Sequence, residues 1–379
     1  MAMTALNPSL LVVGGGFALA FVFGLAAART NFCTMGALSD IVNMGHWGRM
    51  RMWLLAIAVA IIGTSALAYT GQVDLARATA QRPVISWLSL LVGGLVFGVG
   101  MTLAGGCANK NLVRLGGGSI RSLVVLAFMA MASYMTLKGL FAQWRATALD
   151  PVRIDLAGYG WTDSSLATAL AKLTGMAPRT ALLVAAALIA LALFVFVFKD
   201  RRFRSNTRQV AGGVLFGALV ACGWYLTGHL GYGENPDTLE TVYFATNSHT
   251  LESMSFVGPL AYLLELLLLW TDASLHVSFG IASVLGVIAG SAAHALATGT
   301  FRWEGFASLA DLRNQLVGAV LMGFGGVTAL GCTIGQGLSG LSTLAIGSVI
   351  AVAGIVAGSV ATLRFIARQS GGETVLSTA

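Results

Sequence analysis

Three cysteines stand at the same point of a pattern that the chain repeats. In each copy a glycine stands nine positions before the cysteine, and a bulky apolar residue stands directly before that glycine. The three copies are Phe23-Gly24 with Cys33, Phe97-Gly98 with Cys107, and Met322-Gly323 with Cys332. A fourth copy begins at Phe216-Gly217 but has Leu226 where the others have cysteine. A single free cysteine in a membrane helix is usually a small apolar residue, but three at one phase of a repeat predict a shared function.

The residues around these thiols suit the binding of an anion that contains sulfur. Gly105 and Gly106 precede Cys107 where a long apolar run ends. Gly331 precedes Cys332 in the same way. Glycine lets a helix break, and a broken helix exposes N–H groups that attract anions. We therefore expect backbone N–H groups to bind the oxygens of the anion and S–H groups to meet its polarisable sulfur.

Further polar and basic residues near the thiols either line a pore or are ordinary loop residues. They are Asn31, Asn109, Lys110, Asn111, Arg114, Thr333 and Gln336. Lys110 and Arg114 could draw anions toward a cytoplasmic mouth, but charges that set membrane topology explain them equally well. Cys222 lies off the repeat phase, within an apolar span, and is expected only to pack. The five histidines show no pattern of haem or metal ligation, so we predict no metal and no cofactor.

Composition indicates the class of protein. Of 379 residues, 56% are hydrophobic and 10% are charged, whereas soluble proteins have about 25% charged residues. We predict an all-α polytopic membrane protein with about nine transmembrane helices and re-entrant or broken helices. The spans are residues 10–28, 53–69, 85–103, 122–141, 180–198, 209–227, 277–297, 316–329 and 344–366. The net charge of +7 does not require nucleic acid, because basic residues gather in the loops on one side of the lipid.

Two further segments are predicted to lie at a membrane surface. Residues 143–178 are polar and at best amphipathic. Residues 256–270 are apolar but short for a span, so we expect a surface or re-entrant helix there. This second segment contains Glu265, which is either a proton carrier or an acid at the edge of an interfacial helix.

Charges in two loops predict the orientation. The basic run 199–208 should be cytoplasmic, and the acidic loop with Glu234, Asp237, Glu240 and Glu252 should be outside. The N-terminus is then outside and the C-terminus is cytoplasmic.

The same orientation divides the chain into two halves, 1–198 and 209–379, joined by a basic linker at 199–208. The halves enter the membrane from opposite faces, an inverted repeat that is usual in secondary transporters. Residues 92–107 and 317–332 share seven identities at a constant offset of 225, which favours a duplication.

Five stretches resemble the YeeE/YedE family of sulfur-compound transporters. They are Arg29-Thr-Asn-Phe-Cys33-Thr-Met-Gly-Ala-Leu-Ser-Asp40, Leu103-Ala-Gly-Gly-Cys107, Ser255-Phe-Val-Gly-Pro259, Phe301-Arg-Trp-Glu-Gly305 and Gly331-Cys-Thr-Ile-Gly-Gln-Gly-Leu-Ser-Gly-Leu-Ser-Thr343. The resemblance implies uptake of thiosulfate through an hourglass-shaped protein of the bacterial inner membrane. It implies that Cys33, Cys107 and Cys332 pass the ion along by S–H···S contacts. It also implies a cytoplasmic sulfur-carrier partner of the TusA type, and some members are associated with selenium metabolism.

We therefore expect an importer of thiosulfate or a related sulfur anion that performs no covalent chemistry and is not an enzyme. The main competing hypothesis is a membrane thiol enzyme that forms a persulfide, which needs a low-pKa thiolate beside a basic group. Lys110, three residues from Cys107, keeps that hypothesis open. Transport of a selenium compound and a structural or regulatory role in the membrane are two further hypotheses.

Overall fold

A computed structural model describes residues 7–234, 239–306 and 308–376; Asp237 of the predicted acidic loop lies outside them. Helices dominate this part of the chain, as expected where lipid offers no partner to backbone polar groups. The α-helices are α1 (Pro8–Thr30), α2 (Thr34–Met44), α3 (Gly48–Tyr69), α4 (Trp87–Leu103), α5 (Ala108–Gly116), α6 (Ile120–Lys138), α7 (Leu140–Trp144), α8 (Leu166–Thr174), α9 (Pro178–Phe198), α10 (Arg201–Ser205), α11 (Thr207–Tyr225), α12 (Val257–Leu268), α13 (Phe279–Ala297), α14 (Leu309–Thr328) and α15 (Ile346–Leu376).

The remaining regular structure is short. Wider helical turns cover Arg145–Leu149, Leu226–Leu230 and Gly335–Gly340, and tighter ones cover Leu75–Arg77, Thr79–Gln81 and Ala157–Tyr159. Strand β1 (Val84–Ile85) pairs antiparallel with β2 (Ile154–Asp155), and β3 (Tyr232–Glu234) pairs antiparallel with β4 (Thr241–Tyr243). The first pair ties the polar segment 143–178 to the start of α4.

The helices confirm the predicted class of polytopic α-helical membrane protein. Among the described residues, eight helical stretches are long and apolar enough to cross a membrane. They contain α1, α3, α4, α6, α9, α11, α13 and α15. The predicted span 316–329 lies in α14, a helix of 20 residues. Asp311 and Arg313 in its first turns lower its hydropathy, yet it packs against α4 and α6.

The predicted short helix at 256–270 is α12, which has 12 residues and packs against α6, α13 and α14. Its acid, Glu265, is 5% exposed. The Nζ atom of Lys138, the last residue of α6, lies 2.5 Å from a carboxylate oxygen of Glu265. The ion pair explains how a carboxylate is tolerated among apolar neighbours, because a buried charge needs a hydrogen-bonded partner.

The repeat glycines of the first half lie where two helices touch. A methyl group on Gly24 of α1 would overlap the carbonyl oxygen of Val287 in α13. A methyl group on Gly98 of α4 would overlap the carbonyl oxygen of Ile355 in α15. Each glycine therefore serves a close helix contact of the kind that small residues permit in membranes.

The repeat glycines of the second half do the same toward the first half. A methyl group on Gly217 of α11 would lie 2.5 Å from the carbonyl oxygen of Ala56 in α3. A methyl group on Gly323 of α14 would lie 2.6 Å from the carbonyl oxygen of Met129 in α6. The four glycine contacts therefore form two matching pairs. Exchanging α1 with α11 and α3 with α13 turns the α1–α13 contact into the α11–α3 contact. Exchanging α4 with α14 and α15 with α6 turns the α4–α15 contact into the α14–α6 contact.

Candidate functional site

The first thiol lies where α1 gives way to α2. Asn31 ends α1 in a left-handed conformation, with φ of 54°, which asparagine adopts more easily than most residues. Cys33 then caps α2, and the N–H of Gly36 donates a hydrogen bond to its sulfur at 3.4 Å. The thiol of Cys33 therefore lies at the N-terminus of α2, which has a partial positive charge.

The second thiol occupies the same position between α4 and α5. Gly105 turns the chain with φ of 66°, and Cys107 is the residue directly before α5. The side chains of Cys33 and Cys107 lie within interaction distance of each other. Asn109 supports this arrangement, because its amide group donates to the carbonyl oxygen of Phe32 at 3.4 Å.

The third thiol follows α14. Leu330 adopts a left-handed conformation with φ of 56°, and Cys332 is completely buried. The N–H of Gly335 donates to the sulfur of Cys332 at 3.5 Å, which repeats the contact between Gly36 and Cys33. The neighbouring Thr333 lies beside Cys107. The structure therefore places Cys33 beside Cys107 and buries Cys332 in the loop whose Thr333 adjoins Cys107, while Cys222 is exposed.

Two of the predicted polar residues hold the loops through side-chain hydrogen bonds. The side chain of Gln336 donates to the carbonyl oxygen of Ala329 at 2.7 Å and accepts from the hydroxyl of Ser348 at 2.6 Å. The side chain of Asn111 donates to the carbonyl oxygens of Gly106 and Cys107. These contacts give both side chains a supporting role in the loop structure.

Three other polar atoms at the thiols have no hydrogen-bond partner within the described part of the chain. They are Oγ1 of Thr34, Oγ1 of Thr333 and Oδ1 of Asn109. All three side chains are at most 2% exposed. Thr34 is not among the residues that the repeat of glycine and cysteine predicts. A second repeat could have found it, because Cys33-Thr34-Met35-Gly36 matches Cys332-Thr333-Ile334-Gly335.

Basic side chains lie on one side of the thiols. Lys110 donates to the side-chain oxygen of Asn31 at 3.0 Å and is close enough to Cys33 and Cys107 to interact electrostatically. Arg114 donates to the carbonyl oxygen of Gly105 at 3.1 Å. Neither cation has a carboxylate within 4.0 Å among the described residues. The described structure thus has two cations near the thiols whose charge is not neutralised by a close carboxylate.

A cavity of about 170 Å³ lies against the segment that follows Cys332. Its lining includes Gln336 and Ser339 from that segment, together with Trp224, Asn247 and Glu252. The carboxylate of Glu252 accepts a hydrogen bond from the N–H of Ser248 at 2.8 Å. Burial raises the pKa of Glu252. The cavity next to the Cys332 segment is therefore lined by polar groups, and its lining contains neither Lys110 nor Arg114.

A second cavity, of about 710 Å³, is a different kind of surface. It is lined mainly by apolar side chains of α7 and α14, including Phe141, Trp144 and Phe324. The four cysteines are absent from its lining. We therefore place the candidate site at the thiol cluster rather than in this apolar cavity.

Comparison with known proteins adds independent findings. The model of a family described as sulphur transport matches residues 29–361. The thiosulfate transporter TsuA of Escherichia coli strain K12 is 27% identical over 331 residues, which cover 84% of each chain. The thiosulfate transporter TsuA of Spirochaeta thermophila is 25% identical over 339 residues, which cover 89% of this chain and 93% of that protein.

Proposed function

We propose that this chain, which belongs to the sulphur transport family, transports thiosulfate across the bacterial inner membrane into the cytoplasm. Two relatives that match most of its length are named thiosulfate transporters. The helices of the chain are those of a multi-pass membrane protein. Together these findings favour a membrane transporter of a sulfur anion over a soluble or purely structural protein.

The observation that carries the proposed path is the meeting of three buried thiol loops. Cys33 lies beside Cys107, and Thr333, next to Cys332, lies beside Cys107 as well. In two of the loops a backbone N–H donates to the sulfur. That bond fixes the sulfur and leaves its S–H hydrogen available, because a thiol can accept and donate at the same time.

The chemistry of the ion agrees with such a relay. Thiosulfate has two negative charges, so it must exchange its water for fixed donors before it enters the protein interior. Weak donors suit passage, since an ion that is held tightly leaves slowly. Thiols in succession offer weak donors for a soft sulfur atom, and the N-termini of α2 and α5 favour negative charge.

We also propose that the halves 1–198 and 209–379 are inverted repeats. The exchange symmetry of the helix contacts supports this, because each repeat glycine packs against the other half. With the N-terminus outside and the C-terminus in the cytoplasm, Lys110 and Arg114 lie at the cytoplasmic mouth and attract the leaving ion. A TusA-type sulfur carrier at that face is the proposed recipient. Reporter fusions at the two termini should report opposite compartments.

The proposed function is tested with purified protein in lipid vesicles. We expect saturable uptake of ³⁵S-labelled thiosulfate without added reductant or carrier protein, and none in vesicles without protein. If correctly folded protein takes up no thiosulfate, the proposal is wrong.

The persulfide enzyme remains the second candidate, because Lys110 interacts electrostatically with Cys33 and Cys107. It predicts added mass on one cysteine after exposure to thiosulfate. The relay predicts an unchanged mass, measured by intact-protein mass spectrometry on the same sample.

A further inference from the structure

Two threonines have the same position relative to two of the path cysteines. Thr34 directly follows Cys33, and Thr333 directly follows Cys332. In both loops the glycine two residues after the threonine donates its N–H to the sulfur. The backbone of each loop is thus fixed by the thiol contact, and each hydroxyl is held at a defined place beside a thiol.

Both hydroxyls are buried. Each threonine is 2% exposed, and neither Oγ1 atom bonds to an oxygen or nitrogen atom of the described residues. The hydroxyl of Thr333 faces the thiol of Cys107, which is a weak partner. Among the other buried threonines, Thr136 donates to the carbonyl oxygen of Ala132 and Thr328 to that of Phe324. Thr64 in α3 also lacks a partner among the described residues, so the proximity to the thiols is what singles out Thr34 and Thr333. An unsatisfied buried hydroxyl costs free energy. A pair of them beside the thiols therefore points to a ligand that completes their hydrogen bonds.

We propose that the hydroxyls of Thr34 and Thr333 bind the sulfonate oxygens of thiosulfate while the thiols contact its terminal sulfur. This inference rests on the proposed function and deepens it. A hydroxyl is a compact donor that suits an oxygen atom, whereas a thiol is a long, soft donor that suits sulfur. The two side-chain types read the two ends of the ion, so the site recognises a sulfur atom bonded to an oxygen-rich group.

The position of Thr333 gives the inference its geometry. Its side chain lies near the Cys107 thiol, so the hydroxyl and the thiol can contact one small ion together. Because Ala108 follows Cys107 where threonine follows the other two thiols, the oxygen contacts should come from the Cys33 and Cys332 loops.

The test uses variants that keep the volume and remove the donor. Thr34→Val and Thr333→Val lose the hydroxyl, whereas Thr34→Ser and Thr333→Ser keep it. Thr328→Val is the matched control, because Thr328 is also buried but bonds to its own helix. Uptake of labelled thiosulfate into vesicles gives KM and maximal rate, and thermal unfolding gives Tm with and without thiosulfate.

We expect each valine variant at the thiols to raise KM about tenfold or more, as for a lost hydrogen bond to a charged group. Its Tm without thiosulfate should equal or exceed that of the parent, and the rise in Tm on adding thiosulfate should shrink. Serine should restore both readouts, and Thr328→Val should leave KM unchanged.

The outcomes separate the inference from the proposed function. If the parent shows neither uptake nor a thiosulfate-induced rise in Tm, the proposed function fails. If the parent shows both and the two valine variants keep its KM and its Tm rise, the hydroxyls do not bind the ion and the inference is overturned. A loss of Tm without ligand in the valine variants, with an unchanged KM, would assign them a packing role and overturn it equally.

Discussion

Two segments of the second half, around Cys332 and around Leu226, begin with the same pattern and end differently. Each starts with a buried bulky residue and a glycine at a close helix contact. After Gly323 the helix ends at Thr328, and the chain turns through a left-handed residue, Leu330, before Cys332. After Gly217 the chain stays helical through Leu226 to Leu230.

The hydroxyls that follow show the same contrast. Thr333 after Cys332 has no partner among the described residues. Thr227 after Leu226 lies near the carbonyl oxygen of Gly223, and it donates to that of Glu252 at 2.5 Å. In the segment where the helix breaks, the threonine hydroxyl thus has no bond to the main chain, while the threonine of the continuous segment bonds to a main-chain carbonyl. In the proposed function the break in the helix, and not only the cysteine, makes polar groups available to the ion.

The largest expected effect comes from changing the thiols of the three repeat copies in which the helix breaks before a cysteine. We expect Cys33→Ala, Cys107→Ala and Cys332→Ala each to lower thiosulfate uptake by roughly 10- to 100-fold, the equivalent of one lost hydrogen bond to a charged group. Serine should restore little, because its hydroxyl is a shorter and harder donor. Uptake into vesicles measures the loss.

Cys222→Ala is the matched control for these variants. Cys222 is exposed and lies outside the thiol cluster, so its loss should leave uptake near that of the parent. Full uptake by a variant without Cys33, Cys107 and Cys332 would refute the relay. The Cys332 and Leu226 segments would then differ in structure but not in function.

The glycines test what the two segments share. A methyl group on Gly217 or Gly323 would lie 2.5 or 2.6 Å from a carbonyl oxygen of a neighbouring helix. Both Gly217→Ala and Gly323→Ala should therefore destabilise the protein by about 1–3 kcal/mol through overpacking, although only one copy has a thiol. Thermal unfolding in detergent measures this.

Gly14→Ala in α1 serves as the control for the glycines, since no atom lies within 4 Å of the added methyl group. It should be neutral or slightly stabilising. If Gly217→Ala is as well tolerated as Gly14→Ala, the unbroken copy does not share the packing of the other three.

Removing the hydroxyls of Thr227 and Thr333 should have smaller effects, and these should differ between the two residues in the absence of thiosulfate. Thr227→Val removes the donor to the carbonyl of Glu252 and should lower the free energy of unfolding by roughly 1 kcal/mol. Thr333→Val should cost nothing without thiosulfate, because an unpartnered hydroxyl is replaced by an apolar group of similar volume. Chemical or thermal unfolding of both variants in ligand-free buffer compares them, and equal losses would contradict the contrast.

The sequence predicts the membrane spans well, while the shared role of the thiols stays a prediction. Apolar runs such as 10–28 and 180–198 correspond to α1 and α9, because length and hydropathy alone determine which segments suit a bilayer. The common repeat phase also singles out Cys33, Cys107 and Cys332. The structure places the first two beside each other and buries the third.

Contacts between distant residues could not be predicted in this way. The pair of Lys138 with Glu265 spans 127 positions, and neither residue lies in a recognisable pattern. The contact of Thr333 with Cys107 likewise depends on how the two halves pack. Asn109 and Gln336 are both polar loop residues in sequence. Only the fold shows that the amide oxygen of Gln336 accepts a hydrogen bond, whereas that of Asn109 has no partner among the described residues.

The smallest expected effect concerns the carboxylate next to the unbroken copy. Thr227 donates to the main chain of Glu252, and the side chain of Glu252 faces the cavity with Asn247. Its charged surroundings include His249 from the same loop and Tyr262 from α12. Burial raises the pKa of Glu252, an effect that the hydrogen bonds from Ser248 only partly oppose.

The direction of this shift determines how stability depends on pH. A carboxyl group whose pKa is raised on folding holds its proton more strongly in the folded state than in the unfolded state. The free energy of unfolding therefore falls as pH rises from about 4.3, the ordinary value for glutamate, to the raised pKa. Glu252→Gln has no such proton to lose. We expect the Tm of Glu252→Gln, relative to that of the parent, to rise across this pH interval and to stay constant above it. Glu240→Gln, in the same loop, serves as the control. A difference in Tm that does not change with pH would show that Glu252 is solvated like an ordinary surface acid, and that the unbroken copy borders water and not a buried polar pocket.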